Sequence, residues 1–131
     1  MIKELYENSD SRRHIGNSCN VGELEQMTLP PCHYAFQCYV SKNKLSLMLS
    51  KRRVDTFLGL PFNIASYGML LLLLCEETGY EPGELIGSLG DTHLYSNHIE
   101  QAKLQLTREP YHLPTVKLSN VDILNLYFIH N

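Results

Sequence analysis

The sequence predicts an α+β protein built from a mixed β-sheet with a long buried central helix. Residues 62–78 are apolar on nearly every side and stop at Gly79, a pattern typical of a core helix. Two apolar stretches, residues 35–40 and 45–49, flank the polar segment 41–44, which predicts a β-hairpin. A helix and a hairpin of this kind have to share one core, so the fold is expected to be layered.

The size and composition predict one domain over residues 1–131. With 131 residues and 44% hydrophobic content, the chain can bury one modest core. The net charge of -3 gives no general attraction to nucleic acid, and no nucleic-acid partner is predicted. The most apolar segment, residues 69–75, is far shorter than the roughly 20 residues of a membrane span, so no membrane association is predicted.

The cysteines and the N-terminus predict a cytoplasmic protein with free thiols. None of the four cysteines forms a C-x-x-C pair, and the first residues, Met-Ile-Lys-Glu, lack an apolar secretory stretch. Both features favour a reducing compartment.

The N-terminal third is predicted to lead a cysteine into the sheet. Residues 1–10 are expected to be the end of a helix or an exposed lead-in, and residues 11–18 a short strand that carries Arg12 and Arg13 on opposite faces. Prolines at positions 30 and 31 favour an extended backbone. Cys32 is therefore expected where an irregular segment enters the first hairpin strand.

The second half is predicted to add strands and a short helix. Pro61 suits the first turn of the long helix, and residues 84–88 are expected to form a strand. Asn-His-Ile-Glu at 97–100 resembles a capping box that starts a helix running to about residue 106. Two closing strands are expected at 113–118 and 123–129.

The segment around Cys32, Arg52 and Arg53 has a chemical interpretation and a structural one. A thiol reacts as its thiolate, which nearby cations favour, and the same cations can bind a phosphate. A cysteine taken alone is more often a buried apolar residue than a nucleophile, and an arginine pair is as typical of a solvated turn as of a phosphate site. The residues taken singly leave both interpretations open.

Asn63 also has two interpretations. Asparagine near a helix start commonly satisfies backbone N–H groups. Its amide also offers one acceptor and two donors, which match the adjacent N–H and C=O of a pyrimidine such as uracil.

Metal and phosphate-loop motifs are not supported by the spacing. His93 and His98 fit neither a helical i, i+4 pair nor a zinc-finger pattern, so no metal is predicted. Gly83, Gly87 and Gly90 lack the G-x-G-x-x-G spacing and a Gly-Lys-Ser/Thr motif. Turns or bulges are their expected role.

Five blocks together are specific to one family. They are DSRRH at 10–14, LPPCH at 29–33, FQCYV at 36–40, R-x-x-D-x-FLGLPFNIASY at 52–67 and GDTHLYSNH at 90–98. In this order they resemble thymidylate synthase over roughly residues 10–115. The resemblance implies a thymidylate synthase-like fold and reductive methylation of dUMP to dTMP. The co-substrate 5,10-methylenetetrahydrofolate then supplies both the one-carbon unit and the hydride.

The resemblance implies catalytic roles for three residues. Cys32 is the expected nucleophile on C6 of the uracil ring, which places negative charge on O4. Arg52 is expected to bind the phosphate near the Cys32 sulfur. Asn63 is expected to orient the O4/N3 edge and to reject cytosine.

The resemblance also implies the rest of the substrate sites. Arg12 and Arg13 are expected to reach the phosphate in the partner subunit's site, within a homodimer whose sites are shared. The other implied dUMP contacts are Gln37, the Arg53, Val54 and Asp55 loop, and His93 and Tyr95 at the 3′-hydroxyl. The implied folate-binding residues are Asp55, Leu58, Gly59 and Phe62.

Two departures from the family pattern shape the expected function. Arg53 stands where the family usually has a small hydroxyl residue, so either the phosphate is bound differently or Arg53 turns to solvent. Family members are about twice as long, and the chain contains no tryptophan, although the family's folate site uses tryptophans. The expectation is a C-terminal catalytic portion of the family's enzyme, which acts either as a shortened active form or together with a missing N-terminal half.

Two other functions are consistent with these departures. One is a deoxyuridylate hydroxymethyltransferase, in which water instead of hydride completes the reaction. The other is a non-catalytic truncated or split fragment that binds nucleotide or a partner chain.

Overall fold

The computed structural model describes residues 1–118 and has the predicted α+β class. Its elements in chain order are α1 (Ile2–Glu7), β1 (Ile15–Asn17), a 3-10 helix (Val21–Gln26), β2 (His33–Ser41), β3 (Lys44–Asp55), α2 (Gly59–Thr78), β4 (Glu81–His93), a second 3-10 helix (Ser96–His98) and α3 (Ile99–Leu106).

The four strands form one mixed sheet in the order β1-β2-β3-β4. Strands β1, β2 and β3 pair antiparallel, whereas β3 and β4 pair parallel. The predicted hairpin is β2–β3, and its turn residues Lys42 and Asn43 have positive φ values of 50° and 64°, as a tight hairpin turn requires. Since parallel strands need a long crossover, α2 makes the connection from β3 to β4.

The core lies between one face of this sheet and one face of α2. Side chains alternate between the two faces of a strand, and the inward set on β2 and β3 is buried. Each buried leucine contributes about 1.5–3 kcal/mol. The core comprises Leu5, Cys38, Val40, Leu45, Leu47, Leu49, Tyr67, Leu71, Leu74 and Cys75.

Helix α2 is half buried, so the prediction of a buried central helix is only partly right. Tyr67 and Leu74 face the sheet, but Phe62 is 73% exposed and Ile64 51% exposed, because the sheet covers one side of the helix only. By length and composition α2 is apolar enough to cross a membrane. That is weak evidence, since the core helix of a soluble protein has the same properties. The predicted stop at Gly79 is confirmed by its left-handed φ of 75°.

The N-terminal strand is shorter than predicted. Only Ile15–Asn17 pairs with β2, and Arg12 and Arg13 lie in the irregular segment before it. The prediction that these arginines occupy opposite faces of a strand is therefore wrong, because the hydrogen-bonded ladder starts after them.

Three further predictions at the C-terminal side need correction. Strand β4 is longer than residues 84–88, because its parallel pairing follows β3 from Lys44 to Asp55. No capping box starts α3: a 3-10 turn precedes it, and the N-cap His98 makes no side-chain cap hydrogen bond. Residues 113–118 form no strand and have no ladder partner. The strand predicted at 123–129 lies outside the described residues.

Candidate active site

One end of the sheet collects most of the predicted site residues. Strand β2 begins there, β3 and β4 end there, and α2 begins there. The antiparallel register pairs His33 with Lys51, and the parallel register pairs Asp55 with His93. Gly90 permits this close pairing, since a Cβ at that position would lie 2.6 Å from the Arg52 carbonyl oxygen. We refer to this region as the site end of the sheet.

The hairpin brings Arg52 to the segment that carries Cys32. The backbone N–H of Arg52 donates to the Cys32 carbonyl at 2.9 Å. Its guanidinium donates from Nη2 to Pro30 O at 2.8 Å and from Nε to Pro31 O at 3.1 Å. Cys32 is partly exposed and directly precedes β2, as the sequence predicted. The guanidinium therefore holds the backbone that presents the thiol.

The four cysteines are free thiols in two different environments. Burial, with a smaller contribution from the neighbouring Cys75, raises the pKa of Cys38 to about 11. Burial also raises the pKa of Cys75. These two core thiols stay protonated near neutral pH, whereas Cys19 and Cys32 are partly exposed.

Four polar side chains lie between the sheet and α2, next to the site end. His33 Nδ1 and the Tyr67 hydroxyl are 2.8 Å apart, and Lys51 Nζ donates a hydrogen bond to Asn63 Oδ1. Burial raises the pKa of Tyr67, so its hydroxyl is neutral at ordinary pH. We call His33, Lys51, Asn63 and Tyr67 the polar cluster.

The position of Asn63 in this cluster decides between its two interpretations. The N-cap of α2 is Leu58, and α2 begins at Gly59, so Asn63 lies inside the helix. The helix-capping interpretation is therefore wrong. Its amide instead contacts a strand residue across the gap between helix and sheet.

His33, Lys51 and Tyr67 are the polar cluster residues for which the sequence predicted no role. Lys51 directly precedes Arg52 and Arg53 in the sequence. A signal was present, because Leu45, Leu47 and Leu49 set an inward alternation that Lys51 continues. Tyr67 had no comparable signal, since its role depends on the packing of α2.

Arg53 is exposed, in agreement with the expectation that it turns to solvent, while a different mode of phosphate binding stays a prediction. Its Nη2 donates to the Tyr95 hydroxyl at 2.8 Å. The rings of Tyr95 and His93 meet edge-on with centroids 4.9 Å apart, and His93 Nδ1 is 3.4 Å from Asp91 Oδ2. Arg52 and Arg53 are exposed, as the interpretation as a solvated turn requires, but both belong to β3, so the turn itself is wrong.

The predicted loop of Arg53, Val54 and Asp55 is the end of strand β3. Val54 is fully buried, so its side chain is unavailable to a ligand in this structure. One carboxylate oxygen of Asp55 accepts from Phe57 N at 3.1 Å and Leu58 N at 3.3 Å. Asp55 thus organises the turn that leads into α2.

The predicted folate-binding residues border this turn. Leu58 is 49% exposed, and Gly59 is the first residue of α2. Phe62 follows on the exposed side of the helix. Together with Asp55, which ends β3, they lie around the start of α2.

Three predicted residues lie away from the polar cluster. Gln37 Nε2 donates to the Arg12 carbonyl at 3.1 Å, and both residues line an open cleft of about 640 Å³ on the sheet face opposite α2. Arg13 borders a separate crevice with Glu4 and Asp10. Within one chain the structure does not bring Arg12 or Arg13 to Arg52.

No metal centre is formed by the part of the chain that the structure describes. Among residues 1–118 no three His, Cys, Asp or Glu side chains are grouped so that they could hold a metal ion.

The chain was compared with models of known protein families. The family model described as thymidylate synthase matches residues 1–130, which covers all five sequence blocks and nearly the whole chain.

Proposed function

Because the chain belongs to the thymidylate synthase family, we propose that it methylates dUMP to dTMP with 5,10-methylenetetrahydrofolate. The family match supports an enzyme of this kind and the folate co-substrate. One observation at the site end of the sheet carries the proposal. Arg52 donates hydrogen bonds to the segment that precedes Cys32, and the polar cluster with Asn63 lies beside this segment.

In this proposal Cys32 starts the reaction. Its sulfur adds to C6 of the uracil, and the electron pair of the C5–C6 double bond moves towards O4. The bond between the folate methylene carbon and N10 opens, and C5 attacks this carbon and then loses its proton. Elimination breaks the remaining bond from the carbon to N5 and leaves a methylene group on C5. A hydride from the folate reduces the transferred carbon to methyl while the thiolate leaves C6, so the products are dTMP and dihydrofolate. Asn63 orients the O4/N3 edge, where negative charge develops.

Arg52 retains enough donors to bind the phosphate. A guanidinium has five N–H donors, and two of them go to Pro30 and Pro31. Three therefore remain for phosphate oxygens, which favour paired guanidinium donors.

His93 and Tyr95 are proposed to hold the deoxyribose 3′-hydroxyl. The Tyr95 oxygen accepts from Arg53, and its own proton remains available to donate to the sugar. The folate is proposed to lie along Asp55, Leu58, Gly59 and Phe62, where the exposed apolar side chains can receive its ring.

We further propose a cytoplasmic homodimer that joins through the sheet face opposite α2. Ile15, Tyr39 and Ile86 are 57%, 54% and 43% exposed there, and several exposed apolar side chains on one face support an interface. Arg12 borders the same face, which supports its proposed contact with a site of the partner subunit. Association with a partner chain over the exposed side of α2 is the other candidate contact.

The reaction can be followed with dUMP tritiated at C5. Tritium release together with dTMP is the expected result in the presence of methylenetetrahydrofolate. Cys32→Ser should abolish release and the covalent adduct with 5-fluoro-dUMP. Cys19→Ser, which removes the other partly exposed thiol, should retain both.

The same assay separates the alternatives. Release of tritium with a 5-hydroxymethyl product indicates the hydroxymethyltransferase. No release and no adduct, from a protein that is folded by circular dichroism, indicates a non-catalytic chain and refutes the enzyme proposal for it.

A further inference from the structure

We propose that Lys51 is a positioning residue that fixes the orientation of the Asn63 amide and thereby sets the choice of uracil over cytosine. The inference rests on the proposed function, since it concerns the base-recognition residue of that site. It assigns a role to a residue outside the set of substrate contacts implied by the family resemblance.

Lys51 is unusually placed for a lysine. It is 4% exposed and occupies an inward position of β3, in phase with three buried leucines. Burying an ammonium group costs free energy unless the group is paired. Within residues 1–118 its Nζ has one side-chain hydrogen-bond partner, the Asn63 amide oxygen.

The identity of the facing atom follows from the chemistry of lysine. An ammonium group has three donors and no acceptor. The atom turned towards Lys51 must therefore be Oδ1 of Asn63, since the amide NH₂ would place two donors against each other in a buried space. An asparagine free in solution has no such preference between its two orientations.

This fixed orientation has a consequence for the base. Oδ1 keeps a second lone pair for N3–H of uracil, and Nδ2 donates to O4. Cytosine offers the reverse pattern, with an acceptor at N3 and an amino donor at C4. Pairing with cytosine requires the amide to turn by 180°, which would break the Lys51 contact and leave a buried charge unpaired.

The packing around the cluster supports a fixed geometry. Lys51 lies directly across the antiparallel pair from His33, whose ring contacts Tyr67 in an edge arrangement with centroids 5.7 Å apart. Tyr67 follows Asn63 by one helical turn, so both helix residues face both strand residues. The lysine chain is thus confined between a strand neighbour and the helix.

The main test compares Lys51→Met with Lys44→Met. Lys51→Met keeps the length of the side chain and removes the donor, while Lys44 is an exposed lysine at the start of the same strand. The measured quantity is the ratio of the kcat/KM values for tritium release from dUMP and dCMP. Lys51→Met should lower this ratio by about tenfold or more, as expected for loss of one charge-assisted hydrogen bond. Lys44→Met should leave it unchanged.

A second variant separates positioning from a general effect on stability. Lys51→Gln retains an N–H donor for Oδ1 and should recover much of the dUMP preference. A folded Lys51→Met protein with the wild-type ratio would overturn the inference. So would equal losses for dUMP and dCMP, because these indicate a merely structural lysine.

A measurement that needs no turnover keeps this inference apart from the proposed function. The Nδ2 amide protons of Asn63, assigned by their loss in Asn63→Ala, should shift in the nuclear magnetic resonance spectrum of Lys51→Met but not of Lys44→Met. Absence of that shift contradicts the inference. If the wild-type chain releases no tritium but Lys51→Met still shifts the Nδ2 amide protons of Asn63, the enzyme proposal fails and the positioning of Asn63 by Lys51 stands.

Discussion

Replacement of Arg52 by alanine should impair two separate functions of one side chain. The guanidinium donates to Pro30 O and Pro31 O, and its remaining donors are proposed to bind the dUMP phosphate. The first function concerns every ligand that reacts with Cys32, whereas the second concerns only ligands that carry the phosphate. The two can therefore be separated by comparing a nucleotide with its nucleoside.

The contacts set the expected magnitudes. Arg52 is exposed, so each of its two hydrogen bonds is taken at about 1 kcal/mol, near the low end for a charged donor. Loss of both hydrogen bonds costs about 2 kcal/mol, which corresponds to a rate of adduct formation about 30-fold lower. A paired phosphate contact adds about 2–3 kcal/mol. Arg52→Ala should thus slow Cys32 adduct formation about 30-fold with 5-fluorodeoxyuridine and about 1,000-fold or more with 5-fluoro-dUMP.

The assay is the rate of covalent adduct formation, followed by intact-protein mass spectrometry with methylenetetrahydrofolate present. Arg108→Ala, which removes an exposed arginine beyond α3, is the matched control and should match the wild type. An unchanged rate with the nucleoside would refute the inference that Arg52 positions the Cys32 segment. Equal losses for nucleoside and nucleotide would refute its contact with the phosphate.

Two other predictions concern buried titratable groups. His14 is 1% exposed, and neither ring nitrogen has a hydrogen-bond partner among the described residues. Because burial of such unpaired polar atoms costs free energy, His14→Leu should raise the free energy of unfolding by about 1–3 kcal/mol. Thermal denaturation with exposed His112→Leu as control measures this, and a lower midpoint for His14→Leu would contradict it. The pKa of Cys38 is raised from 9.0 to about 11, so its contribution to stability is complete below pH 9 and is lost as the pH rises through 11. The free energy of unfolding should fall by about 2–3 kcal/mol from this cause, and it should fall less in Cys38→Ala when both proteins are unfolded across that pH range. If the free energy of unfolding depends on pH in the same way in both proteins, Cys38 is not the source of the loss.

The sequence predicted the main elements because their signals are local. The hairpin, the long helix and the stop at Gly79 follow from alternation, apolar runs and turn residues, and the structure confirms them. The capping box at residues 97–100 and the strand at 113–118 were wrong for a related reason. Each depends on a hydrogen-bond partner, and local composition does not specify whether that partner is present.

The candidate site was predictable in part. The position of Cys32 before β2 and the approach of Arg52 follow from the hairpin register, and both are found. The contact between Arg53 and Tyr95 was not predicted, because it joins β3 to the segment that follows β4, and the parallel register of the two strands depends on the intervening helix. The half-exposed state of α2 was missed because an apolar helix gives no indication of how many of its sides are covered.

The sequence by itself determined the class of the fold, the family to which the chain belongs and the residues that carry the proposed chemistry. Residue types and their spacing suffice for those conclusions, since motifs and periodicity are properties of a single segment. The tertiary structure alone decided which side chains meet: it paired Lys51 with Asn63 and His33 with Tyr67, and it placed Arg12 on the face opposite α2. Such contacts arise where helix and sheet pack together, and the free energy of that packing depends on residues far apart in the chain.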